Sequence, residues 1–420
     1  MFSRIFLFKF IPMNRKIILA VIISLISITT FSQTINFYYD RAIERMEKHE
    51  YDAALKDLNI VIKKDKHFYE AYHDLGVIYE IKKQKLEALK YFDKAIKENS
   101  KYYSAYIHRA NIYYELGRKK EATSNFASVI SRKPDFVQAY EKRGFIYFSD
   151  KDYTKAFNDF NKAEHYKSVN PEVYYKRASI YELNKEPDKA IADYTKSIAL
   201  QSDYIKSFKK RGKLYYNQKN YGAAIIDLKK AKADYDDEKT NTLLAHAYYY
   251  SNNMDKALFH YNDLKTRFRT KDWEVYYNRG LIYVDKDKLI EAKNDFGKSI
   301  ALKKDNYDAY YRRAEVYQKM GKNSTAMRDY GKVILMNPKD PFPFFERGKH
   351  HWSNKELKYC IEDLSKYIKL EKKPEPEAYY LRGASYYLLK ENDKACKDLE
   401  KAKDLGMKAA KEMHSKICND

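Results

Sequence analysis

Glycine and proline are scarce in this chain, 12 and 9 among 420 residues. Strand-and-turn architectures need far more punctuation, so the sequence reads as long helices joined by short connections. Cysteine is rarer still, with three residues and no Cys-x-x-Cys pair. A Gly-rich phosphate loop, Gly-x-Ser-x-Gly and His-Glu-x-x-His are all missing, which removes the common signatures of nucleotide, acyl-transfer and zinc-hydrolase chemistry. His350 and His351 form the only histidine pair, and neighbours on a helix point different ways, so no metal site is expected there. No cofactor is implied, and the chain is not expected to be an enzyme. Disorder is excluded by what is abundant: 43 tyrosines and 16 % aromatic residues, enough to build a large core despite 33 % charged residues.

The N-terminus stands apart. Arg15 and Lys16 precede an apolar run from Ile17 to Ile28, and Thr30-Phe31-Ser32 supplies a small-x-small site before Gln33. This is the pattern of a secretory signal covering residues 1–32, with Met13 the better start. An uncleaved anchor is the alternative, but the run is short for a membrane span. The Thr-Phe-Ser-Gln ending resembles bacterial signals of the Bacteroidetes group, which implies export to the periplasm or cell envelope and no transmembrane segment after cleavage. Formal net charge is +22. Such a surface attracts nucleic acid, anionic lipid or acidic proteins. Export disfavours nucleic acid, and lysines spread over solvated helix faces would give the same total.

A repeat with a period close to 34 fills the rest of the chain, with units starting near Ile35, Tyr69, Tyr103, Val137, Pro171, Ile205, Glu238, Trp273, Tyr307, Pro341 and Pro376. The fourth position is aromatic in ten units, as at Tyr72, Tyr140 and Tyr276. The eighth is always Gly or Ala, the eleventh usually Tyr, the twentieth Ala or Cys360, and the twenty-fourth a bulky group such as Phe92, Phe160 or Tyr330. Spacings of three and four place these residues on one helix face. The small residues let two antiparallel helices approach, and hairpins of this kind must stack to bury their remaining apolar surface.

Tyr72, Leu75, Gly76, Tyr79, Ala88, Phe92 and Ala95 together resemble the tetratricopeptide repeat signature, and the resemblance runs from about residue 35 to 409. It implies an all-α, right-handed superhelical solenoid of about eleven hairpins over 33–406. Residues 407–420 are expected to add a capping helix after Gly406. The resemblance also implies a protein-binding scaffold whose first helices line a concave groove through positions two, five, nine and twelve. Carried over, these positions give Phe145, Phe148 and Tyr175, then Lys206, Lys209, Lys213 and Tyr216, then Lys239 and Tyr249. Aromatics beside a lysine row suit an extended protein or peptide partner with acidic and apolar side chains. A structural envelope component that holds glycan or anionic membrane by its basic charge is the alternative reading.

Two further patterns concern the scaffold. Position seven is Arg in nine units and position 23 is Asp or Asn in the same nine. In the other two units Leu75 goes with Tyr91 and Leu244 with His260. This covariation predicts an Arg–carboxylate pair joining the two helices of a hairpin, with an anion-binding track of arginines as the alternative. Cys360 falls at the small buried position and is expected to be a free thiol. Antiparallel packing of the last hairpin and the cap brings Cys396 near Cys418, so a disulfide between them is expected in an exported protein, with two unpaired thiols as the alternative.

Overall fold

A computed structural model describes residues 33–234 and 236–418, so the expected signal segment lies outside the described residues. All regular structure among them is helical, and the hairpins group into two compact units, one up to Tyr204 and one from Ile205 onward. The first unit holds α1 (33–47) with α2 (Tyr51–Lys64), α3 (Tyr69–Ile81) with α4 (Lys85–Glu98), α5 (Tyr103–Glu115) with α6 (Lys119–Arg132), α7 (Val137–Ser149) with α8 (Tyr153–His165), and α9 (Pro171–Leu183) with α10 (Pro187–Leu200). The second holds α11 (Ile205–Asn217) with α12 (Tyr221–Asp234), α13 (Glu238–Tyr250) with α14 (Met254–Asp263), and α15 (Trp273–Asp285) with α16 (Leu289–Leu302). It continues with α17 (Tyr307–Lys319) and α18 (Asn323–Met336), α19 (Phe342–Ser353) and α20 (Leu357–Leu370), α21 (Pro376–Leu388) and α22 (Asn392–Asp404), and the added helix α23 (Lys408–Ile417). Each unit is thus a stack of antiparallel hairpins, the architecture of an all-α tetratricopeptide solenoid.

The turns explain how the chain manages with so little glycine. Position fifteen of every hairpin is left-handed. Gly117 and Gly321 adopt this freely, but Lys83, Lys151, Lys185 and Lys219 sit there too, at φ of 60–61°. The next N–H closes the turn on the carbonyl of position eleven, as from Gln84 to Tyr79 at 2.8 Å. That bond satisfies an orphan carbonyl at the helix end and offsets the cost of about 1–2 kcal/mol for a non-glycine residue in this region.

In the hairpins that carry Arg at position seven and Asp at position 23 the predicted pair is present. Arg279 donates from Nε and Nη2 to the two oxygens of Asp295 at 2.7 and 2.6 Å, with Arg279 1 % exposed. Arg143–Asp159, Arg211–Asp227 and Arg347–Asp363 repeat the geometry at 2.7–2.9 Å. The guanidinium of Arg279 also lies 5.7 Å from the ring centres of both Tyr276 and Tyr283. Its remaining nitrogen reaches back to Asn262 on the preceding hairpin at 3.0 Å. Arg177 does the same toward Asn161, and Arg382 toward Ser365. In the hairpin with the amide, Arg109 bonds Asn125 at 2.8 Å and takes its negative charge from Asp93 of the hairpin before, at 2.5 Å.

The two hairpins without the pair share a different solution. Tyr91 stacks on Tyr79 with centres 5.2 Å apart and planes 5° from parallel, and His260 stacks on Tyr248 at 5.4 Å and 8°. Leu75 and Leu244 fill the space of the missing arginine and are fully buried. The His260 Nδ1 is buried without a hydrogen bond. Burial first, then the nearby Lys232 charge, push this imidazole down to about 4. The same repeat departs elsewhere. Asn241, standing where an aromatic is usual, is fully buried and accepts from Lys232 at 2.6 Å. Its second helix runs on through a π-helical turn, Leu264–Phe268, before Arg269 turns left-handed.

The eighth position reflects its partner. A Cβ added to Gly280 would lie 2.8 Å from the Phe296 ring, and one on Gly76 would lie 2.6 Å from Phe92. Where position 24 is tyrosine, the eighth is Ala, and the hydroxyl is anchored on the first helix: Tyr261 to His246 at 2.8 Å, Tyr330 to Gln318 at 2.7 Å, and Tyr194 to Glu182. Ala42, opposite Leu58, and Ala110, opposite Phe126, are not explained this way. At the C-terminal end α23 covers Leu399 and Ala402 with Ala410, Met413 and Ile417, and Cys418 is bonded to Cys396 across a Cα–Cα distance of 5.6 Å. Cys360 is a buried free thiol that accepts from the Ser385 hydroxyl at 3.3 Å.

Two outcomes follow. Gly280→Ala should destabilise by about 1–3 kcal/mol through overpacking, whereas Gly222→Ala, with open space around the added methyl, should stabilise by about 0.4–1 kcal/mol; urea unfolding of both variants checks this. The folded state keeps His260 neutral, while the unfolded chain takes up a proton near pH 6.5. The stability of this repeat is therefore complete above that pH and falls as pH drops toward 4. His260→Tyr, the residue type found at Tyr91, should flatten that acid limb in amide exchange of α13 and α14.

Candidate functional site

Next-but-one helices approach one another along the first-helix side, at α3 with α5, α7 with α9, α11 with α13, α13 with α15, and α19 with α21. The side on which successive helices crowd is the inner side of a curved stack, so first helices line the groove within each unit.

In the N-terminal unit, Phe145 and Phe148 pack on the buried ring of Phe160, at 5.5 and 6.5 Å between centres. Tyr175 packs between Tyr194 and Tyr204 at 5.7 and 5.6 Å. Lys176, which the groove spacing does not pick out, sits 4.8 Å over Phe148 and 5.8 Å from Tyr175, so the three predicted aromatics and this lysine form one wall. A second cluster escaped the sequence reading. Tyr39 donates to Asp74 at 2.8 Å, Asp74 meets His73 Nδ1 at 2.9 Å, and the His73 ring lies about 5 Å from those of Tyr102 and His108. Burial, then the Asp74 charge, push the Tyr39 phenol above its ordinary range and that of Tyr102 up to about 12. His73 and Tyr39 both occupy position five, the one signal that pointed here.

In the C-terminal unit the lysine row divides. Lys209 is paired with Asp237 at 2.6 Å, and Asp237 also caps α13 through the Thr240 N–H at 3.1 Å. Lys206, Lys213 and Lys239 are exposed. Tyr216 packs on Tyr221 and Tyr250 at 5.8 and 6.4 Å. Tyr249 is the one predicted residue that lines a cavity of about 520 Å³ between α13, α15 and α17. Its apolar lining is Leu281, Val284 and Val316, and its polar lining is Asp285, Arg312, Glu315, Gln318 and Lys319. Arg312 is held by Glu315 at 2.9 Å. Gln318 is fixed on both sides, accepting from Tyr330 at 2.7 Å and donating to Glu346 at 3.0 Å. Burial, then Asp285, raise the Tyr249 phenol above its ordinary range. The site is thus a partly apolar socket whose rim carries both signs of charge. Among the described residues no group of three or more His, Cys, Asp or Glu side chains is placed to hold a metal ion, and no helix is long and apolar enough to cross a membrane.

Stacked antiparallel hairpins with a first-helix groove define a solenoid scaffold. Two models described as tetratricopeptide repeat match residues 39–103 and 107–168, and 171–204, 274–306, 307–340 and 376–405, together more than half of the chain. The chain belongs to the tetratricopeptide repeat family. The unmatched stretches include the hairpins of α11–α14, where the lysine row and the polar Asn241 seam lie. No curated protein matches the sequence. Among solved structures the chain is similar to yeast Tom70 (14 % identity, 86 % of this chain and 97 % of that one, TM-score 0.33). It is also similar to a protein titled YrrB, a TPR protein with an unusual peptide-binding site (17 %, 52 % and 95 %, TM-score 0.33). A third is MamA from Desulfovibrio magneticus RS-1 (17 %, 41 % and 97 %, TM-score 0.36).

Proposed function

We propose that this protein is a non-catalytic scaffold that works outside the cytoplasm and holds an extended segment or a helix of a partner protein against its first helices. The observation that carries this reading is the socket between α13, α15 and α17, apolar at Leu281, Val284 and Val316 and rimmed by charge. Recognition surfaces concentrate their energy in such desolvated pockets, and a ring of polar contacts excludes water around them. The export half of the proposal rests on the basic, apolar and small-residue order of residues 15–32.

The test is affinity capture from the cell envelope with the wild-type chain and with Leu281→Glu/Val284→Glu, two positions that are only half-buried. The main partner should be lost by roughly tenfold or more, the cost of ruining a hot spot, with helicity unchanged. Undiminished capture would contradict the proposal. Retention that collapses for every bound species at moderate salt, with no effect of the double variant, would favour the reading in which basic charge holds glycan or anionic membrane. N-terminal sequencing of the fractionated protein should begin at Gln33, and a chain still beginning at Met1 or Met13 would refute cleavage.

A further inference from the structure

The groove of the C-terminal unit changes sign along its length. Helix α11 carries Lys206, Lys209, Lys210 and Lys213 and no acid, whereas on α15 the only cation is Arg279, which is committed to Asp295. At the second position of four successive hairpins stand Lys206, Lys239, Glu274 and Asp308, so the inversion falls between α13 and α15. Part of this charge is committed within the fold, Lys209 to Asp237 and Glu274 to the Tyr250 hydroxyl. Lys206, Lys213 and Lys239 are exposed and make no ion pair among the described residues, and the same is true of Asp285 and Asp308. Between the two fields lies the socket, whose rim is balanced by Asp285 and Glu315 against Arg312 and Lys319.

From this order we infer that the segment held in the groove of repeats 6–9 is bipolar: an acidic stretch on α11 and α13, an apolar side chain in the socket, and a basic stretch against Glu274, Asp285 and Asp308. The inference rests on the groove reading proposed above. It narrows the occupant sharply, because a uniformly acidic ligand would lay like charge against Asp285 and Asp308. Juxtaposed like charges are what make an interface reject a wrong partner. Nucleic acid and an anionic membrane surface are polyanions throughout and fail on the same ground. The unpaired charges cost the free protein little, since they are solvated, yet they steer and orient an oppositely charged segment as it approaches.

Fluorescein-labelled probe peptides of equal length test this on the full mature chain by anisotropy at low salt. All share a central leucine–phenylalanine pair. One has a glutamate-rich and a lysine-rich arm, one has two glutamate-rich arms, and one has two lysine-rich arms. The bipolar probe should bind roughly tenfold more tightly than either other peptide, as expected when one arm no longer meets like charge. Asp285→Lys/Asp308→Lys should weaken the bipolar probe about tenfold and tighten the doubly acidic one, and Lys206→Glu/Lys213→Glu should weaken both of these. All four positions are exposed, so circular dichroism should not change. Equal binding of the bipolar and doubly acidic probes, or indifference of the bipolar probe to Asp285→Lys/Asp308→Lys, would overturn the charge order. Absence of binding by all three probes, or binding insensitive to Leu281→Glu, would overturn the groove reading itself.

Discussion

A guanidinium held between two tyrosine rings and a buried aspartate is the interaction on which this structure depends. Burying Arg279 at 1 % exposure forfeits its hydration, so every donor must find an acceptor inside the protein. Two donors are met by Asp295 within the hairpin, and a further nitrogen by Asn262 of the hairpin before. The same side chain therefore fixes the crossing of two helices and the register of one hairpin on the next. A buried ion pair of this kind adds little net stability over a well-packed apolar pair. Its value lies in geometry, because a planar fork with bidentate bonds admits one arrangement. The hairpins with Tyr91 and His260 show the apolar alternative, two parallel rings with a leucine in place of the arginine.

Because the hairpin interior is settled by the clasp, the small eighth and twentieth positions and the closed left-handed turn, the outward positions of the first helices are free to carry recognition. The tyrosines at position 24 connect the two layers. Tyr330 is fully buried in the hairpin, yet its hydroxyl fixes Gln318 at the socket. Gln318 is thus held in place from behind, an arrangement that lowers the ordering cost of the proposed binding.

Much of this was legible in the sequence. The 34-residue period, the Gly/Ala positions and the joint variation of Arg with Asp each reflect a contact inside one repeat, and eleven copies of a repeat expose such contacts to simple comparison. The C-terminal helix after Gly406 and the placement of Cys396 and Cys418 follow from the same antiparallel geometry. What escaped are features made by several repeats acting together or by their departures from the pattern. The socket is a sum of positions on α13, α15 and α17, none of them unusual alone, and of the nine predicted groove residues Tyr249 is the one that reaches it. Pairing of Lys209 with Asp237 needs the turn before α13, which no periodicity describes. The Tyr39–Asp74–His73 cluster likewise depends on a histidine that stands at position five in one repeat alone, and the π-helical turn is confined to one repeat among the described residues.

The clasp is tested most directly by exchanging one solution for the other. Arg279→Leu alone strands Asp295 as an unpaired buried charge, and Arg279→Leu/Asp295→Tyr recreates the combination seen at Leu75 and Tyr91. Repeat arrays open locally, so the readout is amide exchange of α15 and α16 rather than a single global midpoint. The single variant should lose about 3–5 kcal/mol of protection, and the double variant should regain more than half of that loss, with its new ring stacked on Tyr283. A single variant within about 0.5 kcal/mol of wild type, or a double variant less protected than the single, would contradict the claim that this pair sets the hairpin.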